Sequence, residues 1–317
     1  MRFVTKKSNL SCILWFSVSL NILFSVILWR FLNSTTPFLT ATKRCLESAS
    51  QYGSSLEPIP IIYVLTATYH RLVQIPELTR MCHTLLHISK IHWVVIEDAD
   101  IASVRLRRFL EQCGVSFTLL AIKTPPEQVL PPGQPSWRYA RGVAQRNRGL
   151  QWLRETLKPG HDEGVVYFAD DDNTYSLRLF NEIRTTKRAS TWPVAFVGRL
   201  LWEGCVTKPD HPDVIDHMQT IFKPWREFPI DMAGFAINLR LILSHPDAIF
   251  IANPNYYGML ESTFLKKLGL RNFSDLEPKA DGCRRILVWH TQTRQPDILA
   301  LDESKTGPQP TLLPGDL

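Results

Sequence analysis

Neither G-x-G-x-x-G nor G-x-x-x-x-G-K-[ST] occurs in the 317 residues. An ordinary dinucleotide fold or P-loop is therefore not expected, and any phosphates bound must be met by a metal and cationic side chains instead. The chain also lacks a sustained basic block. Its formal net charge of +6 comes from scattered lysines and arginines, so charge by itself does not imply nucleic acid. Cysteine is sparse, six in all and never as C-x-x-C, and the spacing of a cysteine metal site is missing. No internal repeat is present. Composition is globular, and the length allows one large domain or two.

What is present begins with an apolar run, Leu10 to Trp29, about as long as a bilayer is thick. Arg2, Lys6 and Lys7 precede it and Arg30 follows. This charge bias favours a cytoplasmic N-terminus and a luminal remainder. A cleaved signal peptide is the main competitor, but bulky Leu28-Trp29-Arg30-Phe31-Leu32 occupies the place of its cleavage site. The expectation is a retained anchor and a type II, single-span membrane protein. Asn33-Ser34-Thr35 and Asn272-Phe273-Ser274 are luminal glycosylation sequons. Beyond the span stand Cys45, Cys82, Cys113, Cys205 and Cys283. In an oxidising lumen this odd number leaves a thiol free or paired between chains. Cys45, near the membrane, is the candidate for linking a homodimer, whereas Cys82 and Cys113 fit buried unpaired thiols equally well.

A Ser/Thr-rich stretch without a clear period, residues 33–57, reads as a stem. Beyond Pro60 the pattern becomes regular. Strands are expected at 61–65, 93–96, 117–122 and 165–169, with helices over 76–87, 103–113 and 141–157 between them. That alternation predicts an α/β fold with a mainly parallel sheet covered by helices. Thr68-Tyr69, Asp98 and Asp170 to Asp172 then fall at strand ends on one edge, the place where such sheets bind nucleotides.

The stretch Val165-Val166-Tyr167-Phe168-Ala169-Asp170-Asp171-Asp172 is the most informative. A buried strand there stops at three carboxylates, which repel one another unless solvated at a turn or neutralised by a divalent cation. Asp oxygens are hard ligands suited to Mg²⁺ or Mn²⁺, ions that commonly also hold substrate phosphates. Arg141, Arg146 and Arg148 open a helix nearby, either as a solvated face or as anion contacts. The second half reads as less regular. Val194 to Val197 is a short strand, Trp202-Glu203-Gly204 has a turn-like context, and Asp231 is an acid in an apolar segment, where Asp needs a partner. Glu261 stands in the first turn of a helix, a common dipole-complementing use of Glu. Ile286 to Thr291 is a strand ending in His290.

Taken in order, these residues resemble the β-1,3-glucuronyltransferases of animals, glycosyltransferase family 43. The resemblance covers roughly residues 58–296. It is carried by Thr68-Tyr69 with Arg71 to Gln74, Glu97-Asp98-Ala99, Arg141-Gly142-Val143 with Gln145-Arg146-Asn147, and Gly164 to Ser176. Trp192-Pro193-Val194, Glu203-Gly204, Phe228-Pro229 with Asp231 to Ala236, Leu260-Glu261-Ser262, Asp275 to Pro278 and Val288 to Thr291 continue it.

The resemblance implies a GT-A type fold and a Mn²⁺-dependent inverting transferase of the Golgi membrane. It implies UDP-glucuronic acid as donor and a terminal β-galactose of a glycan as acceptor. It divides the chain into a cytoplasmic tail (1–9), signal anchor (10–32), stem (33–57), catalytic domain (58–300) and C-terminal tail (301–317). Within the catalytic domain, 58–175 would be the donor half and 176–300 the acceptor half. By position it implies donor contacts at Thr68, Tyr69, Asp98, Arg141, Arg146, Asp170, Asp171 and His290, and Asp172 as the metal ligand. Acceptor contacts would be Glu203, Phe222, Arg226 and Asp231, with Glu261 as catalytic base. Three departures stand out. Gln292 replaces a cation expected after His290-Thr291, Phe222 replaces a Trp, and Ala300 replaces a Gln that some relatives lend to the neighbouring subunit. The Gln292 departure keeps a second reading open, a catalytically impaired nucleotide-sugar- or glycan-binding membrane protein. A third, metal-dependent phosphate chemistry of the nuclease kind, is disfavoured by the absent basic patch.

Overall fold

The structure is a computed structural model that describes residues 59–131, 133, 140–252, 257–291, 293, 294 and 296. The chain divides into two units between Ile59 and Pro60, and every described residue but Ile59 lies in the second. The expected anchor, stem, Asn33, Cys45, Gln292, Ala300 and C-terminal tail lie outside the described residues. Among the described residues, no helix is long and apolar enough to cross a membrane.

The first part is a strand–helix alternation. In order come β1 (Ile61–Thr68), α1 (Gln74–Leu85), β2 (Ile91–Glu97), α2 (Val104–Cys113), β3 (Phe117–Ala121), α3 (Val143–Thr156) and β4 (Gly164–Phe168). The four strands are parallel, in the order β3-β2-β1-β4. They are β-branched and aromatic with no polar face, as strands covered on both sides must be. Alternate side chains separate into two cores. Ile62, Val64, Val165 and Tyr167 pack with Leu78 and Met81 of α1 and Leu106 of α2. Tyr63, Leu65, Val166 and Phe168 pack with Leu150 and Leu153 of α3. Period-two alternation of strand side chains produces this division.

Local chemistry sets the helix ends. The Ser103 hydroxyl caps α2 by accepting from Leu106 N, and Gly114 closes that helix at φ 80°. Helix α3 begins at Val143, two residues later than the sequence pattern suggests. Gly142, at φ 70°, cannot continue a right-handed helix, which leaves Arg141 on the approach to it.

The second half is more ordered than expected. It contains β5 (Thr174–Tyr175), α4 (Leu177–Ile183), β6 (Ala189–Thr191), β7 (Val194–Ala195), β8 (Trp202–Lys208) and β9 (His211–Gln219). These are followed by β10 (Phe235–Asn238), α5 (Leu239–Ser244), α6 (Leu260–Lys267), β11 (Glu277–Pro278) and β12 (Val288–Trp289). Strands β10, β6 and β11 extend the first sheet to seven, with β10 antiparallel to β4. The other five form a second sheet, β5-β12-β7-β8-β9. Trp202-Glu203-Gly204 is therefore strand, not turn. Its pairing partners β7 and β9 are remote from it in pattern, and β9 is mostly exposed and polar, so no local period signals the hairpin.

Two disulfides correct the free-thiol reading. Cys82 of α1 bonds Cys113 of α2, and Cys205 of β8 bonds Cys283. Each closes a loop of tens of residues and removes about 3–4 kcal/mol of chain entropy from the unfolded state. Of the five cysteines beyond the apolar run, only Cys45 is left over, and it lies outside the described residues.

Candidate active site

The parallel strands deliver the expected residues to one edge. Thr68, the last residue of β1, donates its hydroxyl to Asp171 Oδ2 at 2.6 Å. Asp98, just past β2, is bound through its backbone N–H to Thr68 O at 2.8 Å. Its carboxylate accepts from Thr124 N at 2.7 Å and Thr124 Oγ1 at 2.6 Å. Tyr69 stands half exposed beside them, with the Arg71 guanidinium 4.5 Å from its ring centroid.

The three acids have three different surroundings. Asp170 receives Arg146 Nη2 at 2.6 Å. Asp171 is buried between Thr68 and Arg71, whose Nη2 lies 2.8 Å from Oδ1. Arg71 also pairs with buried Glu77, a cation and an acid to which sequence reasoning gave no role. Glu77 had as its signal an ionisable side chain on a helix with apolar neighbours, and Arg71, which precedes that helix, had its place in the Arg71 to Gln74 stretch. Among the described residues, no hydrogen bond or ion pair reaches the Asp172 carboxylate. Only its backbone oxygen is held, by Thr291 Oγ1 at 2.5 Å and Arg80 Nη2 at 3.4 Å. Burial, then the like charges of Asp170 and Asp171, raise the Asp172 carboxyl to about 6.

Gly142 shapes this end of the site. A Cβ there would stand 2.8 Å from Arg146 Nη1 and 3.1 Å from the Ala67 side chain. The bare backbone lets the guanidinium fold back so that Nη1 donates to Arg141 O at 2.7 Å. The expected pair of donor-clamping arginines is thereby differentiated. Arg146 is buried and engaged with Asp170, while Arg141 is exposed and its guanidinium makes no hydrogen bond or ion pair among the described residues.

The second set comes from four separate segments. Glu203 lies on β8, Arg226 in a turn that follows β9, Asp231 before β10, and Glu261 in the first turn of α6. Arg226 is buried and held by three carbonyls, with Nη1 to Gly258 O at 2.8 Å, Nη2 to Phe222 O at 3.2 Å and Nε to Lys223 O at 3.3 Å. The same Nη1 lies 3.8 Å from Glu261 Oε2. Three carboxylates share the field of this one guanidinium. Burial raises all three, and Glu261 reaches about 7 despite Arg226. Asp231 uses Oδ1 to cap a short 3-10 turn through Ala233 N at 2.9 Å. Its pKa feels His290, Asp170 and Arg146, and that of Glu261 feels Asp231 and Arg146, so the two sets are neighbours. His290, just past β12, is fixed by its N–H to Ala195 O at 2.9 Å. Phe222 lies against Tyr257 and under Arg226, with its ring centroid 5.5 Å from the Arg226 guanidinium carbon. Asn272 is far simpler: its side chain accepts from Ser274 N and caps an exposed 3-10 turn.

Two features test the site for a divalent ion and a polar ligand. Among the described residues no group of three His, Cys, Asp or Glu side chains is arranged to hold a metal unaided. One free carboxylate, Asp172, suits an ion whose remaining ligands are water and substrate phosphates. Among the described residues, the buried amide of Asn173 and the Glu203 Oε1 atom have no hydrogen-bond partner. Such groups cost about 1–3 kcal/mol unless a ligand or water pairs with them.

The profile described as Glycosyltransferase family 43 matches residues 81–294. Galactosylgalactosylxylosylprotein 3-beta-glucuronosyltransferase 1 of Homo sapiens is 47% identical over 252 residues, 79% of this chain and 74% of that protein. The human protein named galactosylgalactosylxylosylprotein 3-beta-glucuronosyltransferase 3 is 44% identical over 255 residues, 76% and 73% of the two chains. The Caenorhabditis elegans protein of that kind named sqv-8 is 41% identical over 239 residues, 75% of this chain and 66% of that protein.

Proposed function

This chain belongs to glycosyltransferase family 43, and on that premise we propose that it moves glucuronic acid from UDP-glucuronic acid to the 3-hydroxyl of a terminal β-galactose. Proteoglycan linkage-region synthesis is the proposed setting, after the names that its relatives carry. The observation that carries the reading is Glu261. A carboxyl raised to about 7 beside a buried arginine, next to a nucleotide-type acidic edge, is a base poised for neutral pH.

The reaction inverts an α-linked donor in one displacement. Glu261 takes the proton of the 3-hydroxyl as that oxygen forms its bond to C1. The C1–O bond to UDP breaks, and its electron pair leaves with the nucleotide. Arg226 is positioned between Glu203, Asp231 and Glu261, and these acids offer acceptors to galactose hydroxyls. Tyr69 offers an exposed ring for uracil, with Asp98 beside it. Arg141 supplies an unengaged guanidinium for the donor's anionic groups. Asp172 would hold Mn²⁺, whose chemistry when bound is to neutralise charge on the departing diphosphate. Thr68, Asp171, Arg71 and Glu77 act one layer back, keeping Asp172 and the loop after β1 in place.

Attachment to the Golgi membrane by residues 10–32, and dimerisation through Cys45, complete the proposal. The apolar run and the left-over cysteine support them. The test is transfer from radiolabelled UDP-glucuronic acid to a galactosyl-galactosyl-xyloside and to N-acetyllactosamine, with Mn²⁺ and after chelation. Metal-dependent transfer to either galactoside is expected. No transfer to either, with UDP still bound, would favour the impaired binding protein.

A further inference from the structure

We propose that Trp225 is a further acceptor-contact residue, its indole face packing against a pyranose ring on the reducing side of the terminal galactose. The inference rests on the glycosyltransferase reading above. Scattered exposed apolar side chains need no explanation, but Trp225 belongs to a set. The turn formed by Arg226 N–H on Lys223 O at 3.1 Å places adjacent side chains in opposite environments. Arg226 is 6% exposed, beside Glu261, and Trp225 is 69% exposed at the rim.

The Lys223 ammonium joins this rim together. It donates to Tyr257 O at 2.7 Å and stands 3.8 Å from the Tyr257 ring centroid, 5.7 Å from that of Trp225 and 5.9 Å from that of Phe222. Three aromatic rings and one ammonium thus form a continuous border leading outward from the base. Its inner end is Phe222, which packs against the position of Gly258 so closely that a Cβ there would lie 2.3 Å from the ring. Its outer end is Trp225.

The chemistry of that border fits a sugar. A pyranose has an apolar C–H face and a rim of hydroxyls. The first packs on an aromatic face, and the second pairs with N–H donors at its edge. With one Lys223 N–H on the Tyr257 carbonyl, two remain for hydroxyls. A galactose whose 3-hydroxyl meets Glu261 lies at the inner end, so what Trp225 meets is a sugar attached to it.

Steady-state kinetics with UDP-glucuronic acid test this, using methyl β-galactoside, two galactosyl disaccharides and a trisaccharide as acceptors. Trp225→Ala should raise KM about tenfold for at least one oligosaccharide, with KM for methyl β-galactoside and every kcat within about twofold, as one truncated aromatic contact predicts. Trp225→Phe should restore most of the loss. Equal KM changes for all acceptors, or none, would overturn the assignment. A second readout needs no turnover. Oligosaccharide added to Glu261→Gln protein should shield tryptophan fluorescence from acrylamide, and the further change Trp225→Phe should remove the shielded fraction; unchanged shielding overturns the proposal. Failure of the unsubstituted chain to glucuronidate any galactoside would count against the functional reading instead.

Discussion

The donor edge and the acceptor cluster are both acidic, yet they handle charge in opposite ways. At the donor edge, Glu77, Asp170 and Asp171 each meet an arginine at contact distance and Asp98 is held by Thr124, so that among the described residues the Asp172 carboxylate is left without a partner. In the acceptor cluster, Glu203, Asp231 and Glu261 share Arg226, and burial raises all three carboxyls. Paired acids hold a shape. Underpaired acids hold a proton affinity. The first arrangement suits a platform for nucleotide and metal, and the second suits removal of a proton at neutral pH.

The comparison breaks most sharply at Glu261. Glu261→Gln should lower kcat by about a thousandfold, the size of a lost general base, while UDP affinity measured by calorimetry stays within about twofold. The same raised carboxyl sets the pH response. For the unsubstituted protein kcat/KM should climb with pH and level off above about 7, as Glu261 loses its proton. A raised carboxyl stabilises the fold while protonated, and that contribution is lost as pH rises through about 7. Glu261→Gln protein should therefore melt above the parent at pH 8 and level with it below pH 4, in paired thermal scans. Coincident melting at both pH values would remove the charge contrast.

Next in size is Asp171→Asn. It leaves buried Arg71 with Glu77 as its one remaining carboxylate partner and should cost about 3 kcal/mol in denaturant titrations. Asp172→Asn should do the reverse. The fold is kept, and Mn²⁺ no longer strengthens UDP binding, a loss of about tenfold to a hundredfold by calorimetry. Equal destabilisation by both changes would dissolve the distinction between paired and unpaired acids. The smallest effect is expected at Gly198. It lies at φ +62°, and a Cβ there would fall 2.0 Å from Glu203 Oε1. Gly198→Ala should cost about 1–2 kcal/mol of left-handed strain. It should also raise the KM for galactoside severalfold while UDP binding is unmoved.

Some of this was readable in advance. The strands ending at Thr68, Glu97 and Phe168 advertise themselves as unbroken apolar runs, and each places its polar residues immediately after it. Glu261 was identified in the first turn of its helix. The β8–β9 hairpin was missed because β9 is exposed and polar, so no alternation marks it. The roles of Arg71 and Glu77 were missed because a charged residue in a loop or on a helix looks alike whether it faces water or a buried partner of opposite charge. The pairing of Cys82 with Cys113 was open for a similar reason, since a buried thiol and a half-cystine have the same sequence neighbours.

The sequence alone determined which residues end the parallel strands, and hence the acidic edge. A strand's hydrogen bonds and its period of two are local, and the chain order of strand and helix leaves little freedom in how they stack. Only the tertiary structure decided which acid is paired and which is left with a raised pKa. That depends on which arginine arrives from another segment, as Arg226 reaches Glu261 across 35 positions, and on how much water the packed walls exclude, neither of which any single stretch of the chain encodes.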